Sequence, residues 1–528
     1  MLQRILPDRA HPLHDTAATR RIEAAALAGA APNALMQRAG AAVARLARAL
    51  APHARCIWIA CGPGNNGGDG LEAAVQLRRA GRPVCVTHFA DPARLPADAR
   101  TALERARAAG VDFVPPPAAG ALSPQDLCID ALLGIGGAPR QAPQEAADTA
   151  AAHHGALPTG WLDIALDALA HAGAPVLAID LPSGLQADTG VYATKTIAAS
   201  RCGSPAAAPF HADFTLGLLT LKPGLFTAEG RDRAGSVWLD TLDVATGTGA
   251  DAGPPTAWLS GPPGAPRRSH ASHKGSFGDV AVLGGEGIGY RGRGMAGAAV
   301  LAATAALHAG AGRVLLALLD GNAGFGLDVS QPELMLRTPE ALDLGDGALV
   351  CGCGGGEALR GHLPRVLDEA ARLVLDADAL NLVAADAGLQ QRLARRAAAG
   401  HATVLTPHPL EAARLLGTDT QAVQADRLAA ARRLAERFGC AVVVKGSGSI
   451  VAAPGRLPRI NPTGNGRLAT AGTGDVLAGM VGARLAAGLE GFDAAADAVY
   501  THGALADGWP AHRPLTAGAL ARRHAQYV

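Results

Sequence analysis

The stretch RCIWIACGPGNNGGDGLEAAVQLRRA, residues 55–80, decides the fold class. It opens with an apolar run of strand length, Arg55 to Ala60, and closes on Asp69 to Ala80, where Leu71, Ala74 and Val75 share one helical face. Between them lies Gly62-Pro63-Gly64-Asn65-Asn66-Gly67-Gly68-Asp69-Gly70, a turn crowded with glycine. Strand, glycine turn and helix in succession form the repeating unit of a parallel α/β sheet. The rhythm continues on both sides. A helix is expected at Asn33–Leu50, and strands at Pro83–His88, Leu127–Asp130 and Pro175–Asp180. The second half repeats it, with strands at Asp279–Leu283, Arg313–Leu319, near Leu349, Leu373–Asp376, Thr403–Leu405 and Ala441–Lys445. Helices are expected at Gly294–Ala309 and from about Gly474. The reading is α/β throughout: two doubly wound domains, residues 1–245 and 270–528, joined by a Gly/Pro-rich linker, 246–269, without periodicity.

Composition narrows the function classes. A chain of 528 residues that is 49% hydrophobic and 18% charged has ample material for buried cores. Lysine plus arginine (47) balances aspartate plus glutamate (46), so no global field draws it to nucleic acid or anionic lipid. Aromatic residues, at 3%, leave few stacking platforms for single strands. Eight cysteines scattered through apolar runs imply a reducing compartment, and cytoplasm is expected. Arg4, Asp8 and Arg9 break up the N-terminal apolar residues, unlike a secretion signal. Met295–Gly312, which carries Thr304 and His308, reads as a buried helix and not as a membrane span. No membrane or nucleic-acid partner is expected; the Ala-rich helices suit packing into a homo-oligomer.

Ligands of open parallel sheets bind beyond the carboxyl ends of strands, which makes the strand-terminal Asp130 and Asp180 site candidates as well as helix caps. The Gly62–Gly70 turn satisfies GxGxxG, as does Gly287-Ile288-Gly289-Tyr290-Arg291-Gly292, a pattern weak in a chain with 67 glycines. Asn65, Asn66 and Asp69 make the first more specific by adding side-chain oxygens. Asn66, Asp130 and Ser183 would supply hard oxygen ligands, and Asp180 an acid or base.

The stronger signal is Asn461-Pro462-Thr463-Gly464-Asn465-Gly466 followed by Ala471-Gly472-Thr473-Gly474-Asp475-Val476-Leu477-Ala478-Gly479. Amides of Gly472, Thr473 and Gly474 at a helix N-terminus form an anion hole. Asp475 would take a proton from a hydroxyl attacking a terminal phosphorus. As an ordinary carboxylate it would be ionised at neutral pH and act mainly by position. Lys445-Gly446-Ser447-Gly448-Ser449 offers a cation and backbone donors to a diphosphate, and no GxxxxGK[ST] occurs. Thr406–Glu411 and Asp376–Asn381 follow strands and would line the same cleft. Cys351-Gly352-Cys353 lacks the second pair of a zinc site, His270 and His273 read as solvated, and Ser183 has no hydrolase elbow.

With these residues in view, the chain resembles the bifunctional NAD(P)H-hydrate repair enzymes, an NAD(P)H-hydrate epimerase domain followed by an ADP/ATP-dependent dehydratase domain. The first half matches through Asn33-Ala34-Leu35-Met36, Ala39-Gly40, Gly62–Gly70, Asp130–Gly137, Asp180–Gly184, His211-Ala212-Asp213 and Lys222. The second matches through His273-Lys274-Gly275, Gly284-Gly285, Ala309–Gly312, Pro332–Met335, Asp376–Asn381, Thr406–Glu411, Lys445-Gly446 and Ala471–Gly479.

The resemblance implies a Rossmann-like domain and then a ribokinase-like one. The first would interconvert R and S hydrates of NADH and NADPH with potassium on Asn66, Asp130 and Ser183. Its substrate contacts would be Asn65, Asn66, Gly67, Gly68, Asp69, Gly134, Ile135, Gly136, Gly137, Ala138, Pro139, Arg140 and Asp180. The second would phosphorylate the S hydrate from ADP or ATP with Mg²⁺ and eliminate phosphate, with Asp475 as base and Gly472, Thr473 and Gly474 steadying the transferring group. Lys445, Gly446, Ser447, Gly448, Ser449 and Gly474 would contact the nucleotide, and Ala298, Gly354 and His408 the hydrate. The family's Gly-Pro-Gly-Leu-Gly turn stands here as Gly352-Cys353-Gly354-Gly355-Gly356, and its Tyr-Thr-Gly-Ala-Pro as Met295-Ala296-Gly297-Ala298-Ala299. Residues 141–161 look longer than usual. The alternatives are a ribokinase-like small-molecule kinase fused to a nucleotide-binding domain, and a scaffold role for the first half.

Overall fold

The computed structural model describes residues 2–136, 160–192, 210–245, 253–264, 269–292, 294–319, 328 and 330–523. Gly137, Ala138, Pro139 and Arg140, expected as substrate contacts, lie outside the described residues, as does nearly all of the long segment 141–161. The chain divides into two compact units: Met1–Leu6 with Pro12–Thr256, and Pro7–His11 with Ala257–Val528.

The first unit holds an eight-stranded sheet in the spatial order Gln3–Arg4, Ser236–Asp240, Phe214–Leu218, Val176–Ile179, Leu127–Ala131, Ile57–Cys61, Val84–His88, Asp112–Phe113. Every neighbouring pair is parallel except the first. Ile57–Cys61 and Leu127–Ala131 are buried along their whole length, because helices cover both faces of such a sheet and continuous apolar runs are what it takes. Chain progression reverses between these two strands. A switch point of this kind opens a crevice at the carboxyl ends, flanked by the turns after Cys61 and Ala131.

In the second unit the order is Met335–Arg337, Arg313–Leu319, Asp279–Glu286, Ala348–Cys351, Arg372–Leu375, Ala402–Leu405, Ala441–Val444, Ile450–Ala452, Arg459–Ile460, Ala257–Leu259. The first seven strands run parallel, and Ile450–Ala452 is antiparallel to both neighbours. Here the order reverses between Asp279–Glu286 and Ala348–Cys351. Helices Ala296–His308 and Thr473–Ala486 pack backbone to backbone: a Cβ on Gly479 would lie 2.0 Å from the Ala302 carbonyl oxygen. That approach is what the Ala/Gly-rich sequence makes possible.

The architecture is the α/β class expected, with two corrections. The helix after Ile57–Cys61 spans Asn65–Arg79 and so begins four residues before Asp69. Glycine pairs disfavour a helix by about 1 kcal/mol per residue, but here they are needed: a Cβ on Gly67 would sit 2.0 Å from the Gly62 carbonyl oxygen. Within the expected linker, Ala257–Leu259 forms a strand parallel to Arg459–Ile460, with Ala257 and Leu259 buried. No helix among the described residues is long and apolar enough to cross a membrane.

Candidate active sites

At the switch point of the first unit lies a cavity of about 490 Å³. Its wall includes Asn65, Asn66 and Asp69 from the first turns of the Asn65–Arg79 helix, Gly134, Ile135 and Gly136 from the turn after Leu127–Ala131, and Asp180 after Val176–Ile179. Gly67 and Gly68 are not on the wall; Gly68 instead leaves room for Met36, whose Cε would be 2.6 Å from an added Cβ. Sequence reasoning gave no role to Glu23 or Lys222, yet both line the cavity.

Buried Lys222 pairs with Asp180 Oδ1 and donates to the carbonyls of Leu218 at 2.8 Å and Thr220 at 3.1 Å. The Leu218 amide also reaches Asp180 Oδ1, at 3.2 Å. Asp180 is held with φ of 68°, a left-handed conformation that Asp tolerates better than most side chains. Thus one oxygen is fully committed, and the carboxylate is anchored as the negative partner of a lysine. Asp69 has its pKa raised well above the ordinary value by desolvation, then by the charges of Asp180 and Glu23. Glu23 is raised as well, by desolvation first and Asp180 second, with Lys222 and Arg20 opposing. The cavity therefore joins an anchored anion to two acids whose pKa values are raised.

Asp130 is fully buried beneath the same turn. Its Oδ1 accepts from Ser183 Oγ at 2.6 Å and from the Leu132 amide at 3.1 Å; Oδ2 accepts from the Ser183 amide at 2.8 Å. Burial lifts its pKa to about 6 against the pull of these bonds. Asn66 is buried, with its Oδ1 3.5 Å from where a Cβ of Gly134 would stand and its Nδ2 without a protein partner. The oxygens of Asn66, Asp130 and Ser183 are hard donors of the kind that potassium takes, with Asn66 Oδ1 as the amide's ligating atom.

In the second unit Asp475 stands in the first turn of Thr473–Ala486, after Gly472 with φ of 90°. The Thr473 amide turns to Thr470 O at 3.3 Å and its hydroxyl to Leu468 O at 2.8 Å, so the next amides, Gly474 and Asp475, are the orphan donors of the turn. Thr473 is thus bound inward, unlike the expected phosphate contact. His502, fully enclosed within its helix, sits 3.0 Å from Thr473 O and braces the turn. Desolvation first lowers its pKa to about 4, so it is neutral.

Asp475 departs from the ordinary carboxylate expected. Burial and then the charge of Asp376 raise its pKa to about 6, against a hydrogen bond from Cys353 and the charge of Lys445. Lys445 Nζ bonds Asp376 Oδ1 at 2.7 Å and lies 3.4 Å from where a Cβ of Gly474 would be. Burial opposes its charge, but Asp376 and Glu411 outweigh that and raise its pKa. The ends of Arg372–Leu375 and Ala441–Val444 and the head of Thr473–Ala486 therefore meet at one point.

Beyond Lys445, the loop is shaped by buried Arg427, which donates to the carbonyls of Val444, Ser447 and Gly448. Ser449 Oγ closes it through Gly446 O at 3.1 Å. Ala298 and Gly354 are brought together, since a Cβ on Gly354 would be 3.0 Å from Ala298 Cβ. His408 caps helix Pro409–Leu416, its Nδ1 accepting from the amides of Leu410 and Glu411. Asn381 turns away to Arg414, and Asn461 and Thr463 bond each other and helix Gly491–Asp507 in the interior.

An acid-lined crevice in one α/β unit, and a desolvated base under a helix-headed anion turn in the other, define a two-centre enzyme of Rossmann-like and ribokinase-like type. Residues 282–526 match the family described as NAD(P)H-hydrate dehydratase, and residues 32–224 the YjeF-related protein N-terminus. The chain is 35% identical over 508 residues to the bifunctional NAD(P)H-hydrate repair enzyme Nnr of Escherichia coli K12, covering 92% of this chain and 87% of that one. It is 44% identical over 260 residues to the ADP-dependent (S)-NAD(P)H-hydrate dehydratase of Neisseria meningitidis serogroup B, with 48% and 84% covered. Among solved structures, the ADP/ATP-dependent NAD(P)H-hydrate dehydratase of Bacillus subtilis, co-crystallised with ATP/Mg²⁺, is 30% identical over 49% of this chain and 91% of that one, with a TM-score of 0.41. The chain belongs to the bifunctional NAD(P)H-hydrate repair enzymes.

Proposed function

We propose that the first unit epimerises the hydrates of NADH and NADPH and the second dehydrates the S form at the expense of ADP or ATP. The hydrate carries a hydroxyl on the carbon next to the ring nitrogen, whose lone pair expels it once it can leave. In the first unit Asp69, its pKa raised well above the ordinary value by desolvation first, delivers a proton so that water departs and returns to either face. Asp180, anchored by Lys222, offsets the positive charge that develops on the ring. Asn65, Asn66, Gly134, Ile135 and Gly136 line the substrate. Asn66, Asp130 and Ser183 would hold potassium, which supplies a fixed positive charge beside the pocket.

In the second unit Asp475 accepts the hydroxyl proton as that oxygen attacks the terminal phosphorus of the nucleotide, which arrives with Mg²⁺. The amides of Gly474 and Asp475 and the charge of Lys445 meet the phosphoryl oxygens, and Lys445 to Ser449 border the diphosphate. The ring nitrogen then expels phosphate, the neighbouring carbon loses a proton, and the reduced nicotinamide is restored. Ala298, Gly354 and His408 face the hydrate. Cytoplasmic residence and a homo-oligomer accord with this role.

One observation carries the reading: a carboxyl with its pKa raised to about 6 heads the helix at whose first turn Lys445 also arrives. The test supplies chemically hydrated NADH, Mg²⁺ and each nucleotide and follows the return of reduced-nicotinamide absorbance. Asp475→Asn is expected to abolish recovery while R and S forms still interconvert; normal recovery in that variant sinks the assignment.

A further inference from the structure

Cys353, read in the sequence as half of an incomplete zinc motif, is not paired with Cys351 in space. Its Sγ and one carboxylate oxygen each of Asp376 and Asp475 all lie within 4.8 Å of one another. Three separate segments supply them: the turn after Ala348–Cys351, the end of Arg372–Leu375, and the first turn of Thr473–Ala486. Cys353 and Asp376 are buried at 0% and 1% exposure, while Asp475 is partly open.

Two features favour a cation here. Asp475 feels the negative charges of Asp376 and Asp378, and Lys445 is the cation that opposes them. Since buried like charges are costly, a divalent ion would relieve both carboxylates together. The donors are also mixed, one sulfur and two oxygens. Magnesium takes oxygen in a strict octahedron, whereas zinc accepts thiolate and carboxylate in a tetrahedron. Neighbouring ligands of such a zinc stand about 3.5 Å apart, so side-chain rotations of about an ångström close the set. Lys445 occupies Asp376 Oδ1, leaving Oδ2 to the metal. The open side of Asp475 leaves the fourth position to water.

We propose that Cys353, Asp376 and Asp475 form a site for a thiophilic divalent cation, zinc foremost, whose occupation shuts off dehydration. On binding, the thiol releases its proton to solvent and the sulfur–zinc bond forms with no redox change. Asp475 then donates its lone pair to the metal and no longer accepts a proton from substrate. Binding stands on the ligand set alone; the inhibition rests on Asp475 being the dehydration base.

The test uses the full chain, stripped of metal and free of nucleotide, titrated with Co²⁺. A near-ultraviolet sulfur-to-cobalt charge-transfer band is expected at one equivalent, displaced by Zn²⁺, and absent in Cys353→Ala and Cys353→Ser that retain epimerase activity. A band that persists in these variants overturns the site, as does no Cys353-dependent band in the wild type. With Mg²⁺-nucleotide in excess, Zn²⁺ is expected to inhibit dehydration, with an inhibition constant at least tenfold higher in both variants, each scaled to its own zinc-free rate. Epimerisation in the same mixtures stays constant. Equal zinc sensitivity of wild type and variants overturns the inhibitory role. A cobalt band alongside full dehydration by Asp475→Asn would instead remove the catalytic reading and leave the metal site standing.

Discussion

Replacing Asp475 with Asn should make the protein more stable and stop dehydration. In the fold this carboxyl is raised from an ordinary value near 4 to about 6, burial being the first cause and Asp376 the second. A rise of about two units, at about 1.4 kcal/mol each, is a cost on the order of 3 kcal/mol whenever the group is ionised in both states. The sign follows from proton counts. Between pH 4 and 6 the native state holds a proton that the unfolded chain has lost, so this group's contribution to stability is greatest below pH 4, falls through this window and levels above 6. Asp475→Asn, uncharged throughout, removes this share of the slope, and at pH 8 its unfolding by urea should need on the order of 1–3 kcal/mol more than the wild type. Activity follows the same ionisation. The wild-type dehydration rate at pH 5 should be about a tenth of that at pH 8, whereas an ordinary carboxylate would show almost no loss. Recovery by Asp475→Asn should drop by about 10²–10⁴. Dehydration that is flat from pH 5 to 8, or a variant no more stable than its parent at pH 8, would refute the placement of this acid in a desolvated, like-charged pocket.

Lys222→Met leaves Asp180 charged and unpaired in the interior, so a loss of about 3–5 kcal/mol is expected in urea unfolding, with epimerisation lost as well. The double variant Lys222→Met with Asp180→Leu should recover much of the stability and none of the activity. Gly67→Ala drives a methyl against the Gly62 carbonyl oxygen and should cost at least about 1–3 kcal/mol, although Gly67 does not line the cavity. Asp130→Asn should make epimerisation insensitive to replacing potassium with a larger organic cation; retention of the wild-type potassium response would exclude Asp130 as a ligand.

The parallel sheets were legible because buried strands such as Ile57–Cys61 are continuous apolar runs, and the strand-end acids because topology puts ligands there. The early start of the Asn65–Arg79 helix was not, since Asn66-Gly67-Gly68 has poor helical propensity and only the contact with Gly62 overrides it. Asp475 was found in its turn, but not its raised pKa: the neighbours Asp376 and Cys353 lie about a hundred residues or more away in sequence. Lys222 stood within a quoted match and left one signal, a lysine inside the apolar run LLTLKPGLF at residues 218–226, which must bury its charge against a partner. Glu23 left none, for its helix has ordinary surface composition and reaches the cavity only through tertiary packing.

Both units answer one chemical problem, hydroxide being a poor leaving group, in opposite ways. In the proposed epimerisation Asp69, its pKa raised by desolvation first and by Asp180 and Glu23 next, gives a proton so that water leaves reversibly. Under that proposal reversibility is built in, because the carboxylate left behind can take a proton back from the returning water. In the proposed dehydration Asp475, with its pKa raised to about 6, is mostly ionised at neutral pH and suited to accept a proton from an attacking hydroxyl. Phosphoryl transfer makes departure irreversible, and the nucleotide supplies the driving force. Desolvation is the first cause at both acids; after it, Lys445 and the Cys353 thiol oppose the shift at Asp475, whereas at Asp69 three acidic side chains act against a single opposing lysine, Lys222. Burial and then the charges around each carboxyl thus favour the proton direction proposed for it.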